Sequence, residues 1–495
     1  MVFSSSIFLF AFLPVCLAIY YGIPKTNIKL KNFILFIMSL FFYAWGEPVY
    51  VVIMILSIVL NYIFAILVEK YEKKHIANKF ILTVMLIYNL GMLFIFKYLG
   101  FFISNINSIF NMNFNIPKIS LPIGISFFTF QAISYVIDVY RKTDRGETIT
   151  AQKNLINVGL YIAFFPQLVA GPIVRYKTIA DQLDHRVESF DKFGEGTRRF
   201  LIGLSKKVLL SNNLALIADN VFAYQPNELS TPLAWLGAVA YSFQILFDFS
   251  GYSDMAIGLG KMFGFEFMEN FNYPYISKSV AEFWRRWHIS LGNWFRDYIY
   301  IPLGGNRKGL KRTIFNSFIV WLFTGVWHGA NWTFISWGLY FFVFISIENI
   351  LKKLNIFKEN ALLNIFKHVY LIIVIIIGWV LFRSNTIGQA IEYINTMFSF
   401  KNSAEMSEIT SLYLHQNKYF LLLCILFSTP IAGYIKNITQ NYLNKSSKQK
   451  ILSIYIDLSV SAMYIILFVV NISYILKNTY ILSYTLIFKN KINFD

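Results

Sequence analysis

Long apolar runs separated by short polar loops dominate the whole chain. A helix needs roughly 20 apolar residues to cross a bilayer. Runs near that length occupy residues 7–22, 33–45, 50–68, 80–96, 121–140, 155–171, 200–222, 232–249, 314–347, 369–382, 419–435 and 451–472. Several are short, which is typical of re-entrant or tilted segments. The pattern predicts an all-α, polytopic transmembrane protein with about 11–13 membrane segments.

The run 314–347 is too long for one simple span, because about 34 residues at 1.5 Å rise extend ~51 Å against a bilayer core of ~30 Å. Residues 313–347 contain no Asp, Glu, Lys or Arg, but they do contain His328. An ionisable side chain at membrane depth indicates function, and histidine moves protons near neutral pH. Gly325 and Gly329 flank it and predict a bend or break. The alternative is a structural histidine paired with a backbone carbonyl.

The segment 283–301 predicts an amphipathic helix lying in the membrane interface. When it is wound at ~100° per residue, most aromatic residues cover one arc and most polar residues the other. The aromatic arc is expected to dip into lipid or protein. We expect the helix to start near Ser279 or Glu282 and to end before Pro302.

Arg285 and Arg286 lie on the polar arc of this helix, and His288 lies at the edge of the aromatic arc. Two interpretations stay open. The helix is either a membrane-surface anchor, or its arginines hold an anionic group, such as a phosphorylated cofactor, beside the histidine.

Two carboxylates and one stretch with two prolines also interrupt the apolar runs. Asp248 follows an apolar run directly, and Asp254 comes shortly after it. Such carboxylates orient a histidine or pair with arginine, and a helix-end cap explains them equally well. Residues 164–175 combine two prolines with a glycine in apolar sequence and predict a broken or re-entrant element.

Composition restricts the classes of function. Charged residues make up only 14% of the chain, whereas soluble domains carry ~25%. The net charge of +18 is assigned to basic cytoplasmic loops, including 25–31, 70–79 and 141–145, and not to nucleic-acid binding, since no basic soluble module is present. The loop 385–417 is expected outside. No histidine or cysteine spacing fits a metal site, and no glycine motif for ATP or NAD occurs.

Several motifs now carry a resemblance. FWRRWHISLGNWFRDYIYIPLGG (283–305) with VWHGANWTF (326–334) resembles the signature of membrane-bound O-acyltransferases (MBOAT). LPIGISFFTFQAISYVIDVYR (121–141), FFPQLVAGPIVRY (164–176) and FQILFDFSGYSDMAIG (243–258) are similar to its bacterial branch of alginate O-acetyltransferase-like membrane subunits. The similarity covers most of residues 1–347, and the rest of the chain fits only as hydrophobic spans.

The resemblance implies one MBOAT membrane domain over residues 1–495. The N-terminal spans would occupy 1–120, the catalytic core 121–347 and the C-terminal spans 348–495. A funnel from each face would meet near His328.

The resemblance also implies the chemistry. His328 would be the catalytic base and His288 a second, cytoplasmic-side catalytic histidine. The donor would be an acyl thioester, most simply acetyl-CoA, with no tightly bound cofactor. Arg285 and Arg286 are expected to bind the donor, and the expected supporting residues are Asp248, Asp254, Asn331 and Trp327.

The implied setting is the bacterial cytoplasmic (inner) membrane, where the protein would serve O-acetylation of an exported or cell-wall polysaccharide. A periplasmic or membrane-tethered SGNH-type (Ser/His) acetyltransferase is the expected partner. The alternative is a transporter or flippase of an acyl carrier or glycan, which would also contain broken helices and intramembrane polar residues.

Overall fold

The structure is a computed structural model that describes residues 1–141, 149–354, 361–400, 404–445 and 449–492. Every regular element in these ranges is helical, so the all-α prediction is confirmed. Residues 142–145 of the predicted basic loop and 401–403 of the predicted external loop lie outside the described ranges.

The α-helices follow one another with short connections. In chain order they are α1 (Leu13–Gly22), α2 (Ile28–Gly46), α3 (Tyr50–Lys70), α4 (His75–Leu93), α5 (Leu99–Phe110), α6 (Ile125–Arg141), α7 (Leu155–Ala163), α8 (Phe165–Leu168), α9 (Tyr176–His185), α10 (Phe190–Ser205), α11 (Asn212–Ala223), α12 (Thr231–Met262), α13 (Val280–Arg286), α14 (Ile289–Phe295), α15 (Gly309–His328), α16 (Trp332–Lys353), α17 (Ala361–Arg383), α18 (Ile387–Phe398), α19 (Ala404–Phe427), α20 (Ile431–Lys445) and α21 (Gln449–Ile492). π-helical turns occupy Phe8–Phe12, Phe94–Tyr98, Lys206–Ser211 and Arg296–Tyr300.

Eight helices of the described chain are long and apolar enough to cross a membrane, or up to nine if a bent pair counts as one span. They are Ile28–Gly46, Tyr50–Lys70, His75–Phe110, Phe190–Ala223, Thr231–Met262, Trp332–Lys353, Leu362–Arg383 and Ser453–Lys477, and the bent pair is Glu405–Phe427 with Ile431–Thr439. The polytopic prediction is therefore confirmed.

Other apolar runs fold as shorter pieces. The predicted run 155–171 breaks after Ala163, and the short helix α8 that follows carries Pro166 in its first turn. A proline is tolerated there because its missing N–H has no intrahelical partner at a helix start. The predicted broken element is therefore observed in this run.

The chain divides into two compact units built from discontinuous segments. One unit contains residues 1–197, 256–269 and 290–335, and the other contains 198–255, 270–289 and 336–495. The predicted single domain, with its three consecutive parts, stays a prediction.

A buried ionic cluster holds the first unit together on one side of α2. Lys31 is fully buried, and its Nζ lies 2.5 Å from Oε2 of Glu188. Tyr20 Oη donates to Oε1 of the same carboxylate at 2.5 Å. Arg186 donates from Nε to Tyr20 at 2.9 Å and from Nη1 to Asn32 at 2.5 Å. Buried charges require paired and hydrogen-bonded partners, and Glu188 supplies the opposite charge to Lys31 and, at 4.0 Å, to Arg186.

Candidate active site

His328 is the last residue of α15, and residues 329–331 separate it from α16. Gly325 lies so close to the returning chain that a Cβ there would be 2.5 Å from the Phe334 carbonyl oxygen. Residues 325 and 334 of one continuous helix would be ~13.5 Å apart along its axis. The chain therefore turns back immediately after the histidine, which confirms the predicted break.

Aromatic packing fixes the residue beside the histidine. The buried Trp327 ring has its centroid 5.0 Å from that of His328 and 5.8 Å from those of Phe127 and Phe130. Phe130 in turn stacks on Trp294 at 3.9 Å, and Trp294 Nε1 donates to the Phe130 carbonyl at 3.2 Å. Trp327 thus supports the end of α15 through packing.

Asn331 starts the next helix. Its Oδ1 accepts a hydrogen bond from the Thr333 backbone N–H at 3.0 Å, one residue after α16 begins at Trp332. An asparagine side chain in this place satisfies one of the donors that a helix start leaves unpaired. The residue helps define the return turn next to His328.

Two side chains that sequence reasoning did not single out reach the end of α15 from the π-helical turn Phe94–Tyr98. Lys97 Nζ donates to the Trp327 carbonyl and, at 3.2 Å, to Ser126 Oγ. Tyr98 Oη donates to the Val326 carbonyl at 2.9 Å. The sequence does contain a signal for Lys97, because a lysine inside an apolar run indicates function.

A cavity of about 400 Å³ lies between this π-helical turn and the break. Phe94 and Tyr98 line one side, and Val326, Gly329 and Ala330 line the other. The backbone on both sides of His328 therefore borders a space large enough for a small substrate group.

His288 interrupts the second predicted element. The expected start is confirmed, since Ser279 Oγ caps α13 by accepting from the Glu282 N–H at 3.0 Å. The prediction of one continuous helix over 283–301 is wrong, because α13 ends at Arg286 and His288 takes a left-handed backbone conformation with φ 46°. A non-glycine residue held at positive φ stores strain, which points to a function for its side chain.

The segment around Asn270 fixes His288 in place. His288 is buried, and its Nδ1 lies 3.2 Å from Asn270 Oδ1. The Ile289 N–H donates to the Asn270 carbonyl at 2.9 Å, and the Asn272 N–H donates to the Arg286 carbonyl at 2.9 Å. The His288 ring also meets Phe249 edge to face at 4.6 Å. Sequence reasoning missed Asn270 because it is remote in the chain and belongs to no helix.

The two arginines of α13 differ in their surroundings. Arg285 is exposed, whereas Arg286 is held by Glu282 Oε1, 3.0 Å from its Nε, and by the Asn272 carbonyl, 3.3 Å from its Nη1. Arg286 therefore has a structural role, whatever else it binds.

Glu348 secures the other end of α13. Its carboxylate accepts the backbone N–H groups of Val280 at 2.7 Å and Ala281 at 3.0 Å. A negative charge at a helix N-terminus is stabilising. Sequence reasoning did not identify this carboxylate, because its partners lie in a distant part of the chain.

Asp248 and Asp254 both lie inside α12, so neither caps a helix end. Asp254 is buried and pairs with Nη2 of Arg199 and Nζ of Lys206, each at 2.6 Å. Asp248 is partly exposed and pairs with Lys207 Nζ at 2.6 Å. The expected pairing with arginine is therefore observed for Asp254, whereas Asp248 pairs with a lysine.

Asp297 anchors the π-helical turn that follows α14. Arg175 forms a salt bridge with its carboxylate, Arg296 donates to Oδ1 at 2.7 Å, and Arg141 donates to its carbonyl at 2.9 Å. Burial opposes ionisation, but the hydrogen bond and charge of Arg296 and the charge of Arg175 hold the pKa of Asp297 below its usual range.

The aromatic arc of 283–301 packs mainly against protein. Its buried members are Phe283, Trp287, Leu291, Trp294, Phe295 and Tyr298.

The predicted site residues fall into two groups. His328, Trp327 and Asn331 belong to the first unit, and His288, Arg285, Arg286, Asp248 and Asp254 belong to the second. Within the first group, His328 lies at a helix break, and residues on both sides of it line a cavity. An imidazole is a side chain suited to accept a proton from a hydroxyl. Within the second group, the buried His288 lies two residues after the second of the adjacent arginines Arg285 and Arg286.

Comparisons with known proteins identify the family of the chain. The model of the membrane-bound O-acyltransferase family matches residues 149–383. A probable alginate O-acetylase of Pseudomonas aeruginosa is 45% identical over 83% of this chain and 77% of its own length. The peptidoglycan O-acetyltransferase of Helicobacter pylori is 32% identical over 87% of this chain and 86% of its own length.

A more distant match is the teichoic acid D-alanyltransferase of Bacillus subtilis, 30% identical over 47% of this chain and 60% of its own length. The chain belongs to the membrane-bound O-acyltransferase family, and it is a multi-pass membrane acyltransferase. These matches favour acyl transfer over the alternative of a transporter or flippase.

The backbone at His288 generates a prediction that separates function from folding. The left-handed conformation costs an L-residue ~1–2 kcal/mol, and glycine adopts it freely. Glycine relieves this strain, which offsets part of the stability lost with the buried ring and its contact to Asn270. We therefore expect His288→Gly to fold and to unfold at a moderately lower temperature than the wild type, while acyl transfer falls by roughly 10²-fold. Thermal unfolding in detergent and a transfer assay measure the two effects. A stable His288→Gly protein with normal activity would show that the histidine has no part in the chemistry.

Proposed function

We propose that this protein is an O-acetyltransferase of the bacterial cytoplasmic membrane. It would take acetyl groups from a cytosolic thioester, acetyl-CoA, and deliver them for O-acetylation of an exported or cell-wall polysaccharide. The observation that carries this proposal is His328, which stands at a helix break beside a cavity in a stretch free of Asp, Glu, Lys and Arg. The named activities of the relatives support the choice of acetyl group and polymer.

His328 serves as the general base in this proposal. A hydroxyl is a poor nucleophile at neutral pH, and a base within hydrogen-bond reach removes its proton as attack proceeds. The hydroxyl oxygen forms a bond to the thioester carbonyl carbon, and the proton passes to the imidazole. The carbon–sulfur bond then breaks, and the departing thiolate recovers that proton. Exclusion of bulk water limits hydrolysis of the thioester.

The second group of residues would bind the donor. Coenzyme A carries phosphates, which suit arginine as a partner. Arg285 is exposed and available to such a ligand, while Arg286 is braced by Glu282. His288 lies at the end of the same short helix. We assign these residues to the cytosolic side of the reaction.

The acceptor side would require a second protein. Acetyl-CoA remains in the cytosol, whereas an exported polymer is outside the membrane. An SGNH-type acetyltransferase at the outer face, periplasmic or membrane-tethered, would receive the acetyl group on a serine hydroxyl and pass it to the polymer. The first transfer converts the thioester to a serine ester and releases the thiol, and the second exchanges that ester with a polymer hydroxyl and restores the serine. Neither transfer needs a further reactant.

The general-base role is tested by His328→Ala. Because removal of a general base typically costs ~10²–10⁴-fold in rate, we expect acetyl transfer from acetyl-CoA to the SGNH-type partner to fall by that amount. His415→Ala changes an exposed histidine and is the matched control. Normal turnover by a well-folded His328→Ala protein would refute the assignment.

The donor-side role is tested by Arg285→Gln. If this guanidinium pairs with a donor phosphate, the variant should show a raised KM for acetyl-CoA, by about tenfold, with kcat largely preserved. Arg198→Gln, which also removes an exposed arginine, should leave KM unchanged. An unchanged KM in Arg285→Gln would mean that this arginine is not a donor contact.

The need for a partner is tested by reconstitution. We expect the purified membrane protein with acetyl-CoA to acetylate intact polymer poorly, and addition of the SGNH-type enzyme to raise transfer by at least tenfold, because only that enzyme binds the polymer chain. The partner with its serine changed to alanine is the control. Full polymer acetylation by the membrane protein alone would contradict the relay.

A further inference from the structure

Helix α15 ends in an unusual way just before the return turn. A helix leaves its last four carbonyl groups without intrahelical partners, and a glycine in the left-handed conformation commonly closes the end. Gly329 follows His328, but its backbone is extended, with φ −175°. The carbonyls of Val326 and Trp327 instead accept hydrogen bonds from Tyr98 and Lys97 of another element.

Lys97 is an exceptional residue for its position. It is the only charged residue between Lys79 and Lys118, and it lies in the middle of the apolar span His75–Phe110. It also belongs to the π-helical turn Phe94–Tyr98. Turns of this kind are rare and often mark functional sites. A charged side chain at membrane depth is energetically costly, so its presence indicates a function.

The ammonium group connects three elements. It donates to the last turn of α15 at Trp327, donates to Ser126 Oγ in the first turn of α6 at 3.2 Å, and lies 5.6 Å from the centroid of the Trp327 ring. An ammonium has three N–H donors and can join partners from several directions, which a single hydroxyl cannot do.

We propose that Lys97 is a positioning residue for acyl transfer. With Tyr98, it fixes the end of α15 and so the direction of the His328 imidazole. A cation at a helix C-terminus is favourable in itself, so the interaction stabilises the break and orients the histidine at once. This inference rests on the proposed role of His328 as the general base.

The test compares four variants of the full-length protein in lipid nanodiscs, with acetyl-CoA as the donor and the SGNH-type partner as the acceptor. Lys97→Met keeps the chain length and removes the charge, and Lys97→Gln keeps an N–H donor without the charge. Lys97→Arg keeps a cation, and Tyr98→Phe removes only the hydrogen bond to Val326. Unfolding temperature, kcat and KM are measured for each.

We expect Lys97→Met and Lys97→Gln to lose on the order of 10²-fold in kcat, the size expected for a reacting group displaced by ~1 Å, with KM within about twofold of the wild-type value. Lys97→Arg should recover most of that loss. Tyr98→Phe should lose only a few fold, because it gives up one neutral hydrogen bond.

Three outcomes would overturn the inference. The first is a wild-type kcat in folded Lys97→Met or Lys97→Gln. The second is a raised KM with unchanged kcat, which would make Lys97 a donor contact. The third is a loss in Lys97→Arg as large as that in Lys97→Met. His328→Ala in the same assay separates the two proposals: if it is active, both fall, and if it is inactive while Lys97→Met is fully active, only the present inference falls.

Discussion

A polar backbone group in the hydrocarbon core has no water to bind, so each helix that stops there must find partners for its final carbonyls or initial N–H groups. Helix ends near the candidate span Trp332–Lys353, which begins four residues after His328, show how such partners are supplied. The break after α15 places the histidine at a helix end. It also leaves the carbonyls of Val326 and Trp327 to accept hydrogen bonds from Tyr98 and Lys97. On the other side, Asn331 accepts an N–H at the start of α16. The groups that satisfy the backbone are thus the groups that surround the candidate base.

The same requirement recurs at His288, by different means. The short helix α13 has its first N–H groups bound by Ser279 and by the remote carboxylate of Glu348. Its far end is paired with the segment around Asn270. Both histidines therefore stand where regular structure stops and where distant residues must complete the hydrogen bonding. Such breaks permit a side chain to be held at an angle that a continuous helix would not allow.

The sequence predicted those features that depend on local composition. The break at His328 followed from its flanking glycines and from a run too long for one span, and the start of α13 followed from Ser279. The bend at His288 was not predictable, because a histidine in a left-handed conformation leaves no trace in hydrophobic periodicity. The pairing of Asp254 with Arg199 joins residues far apart in the chain. Lys97 was missed for another reason: the apolar run was ended just before it, although its charge was visible.

The π-helical turn Phe94–Tyr98 changes the direction in which the following part of the span His75–Phe110 presents its side chains. Such a turn holds one more residue than the α-helical turn it replaces, and each residue of a helix corresponds to a rotation of ~100°. The faces of α4 and α5 are therefore offset from those of one uninterrupted helix. Removal of one residue from this turn would rotate the remainder of the span about its axis by that angle, and would carry Lys97 and Tyr98 away from the carbonyls that they bind.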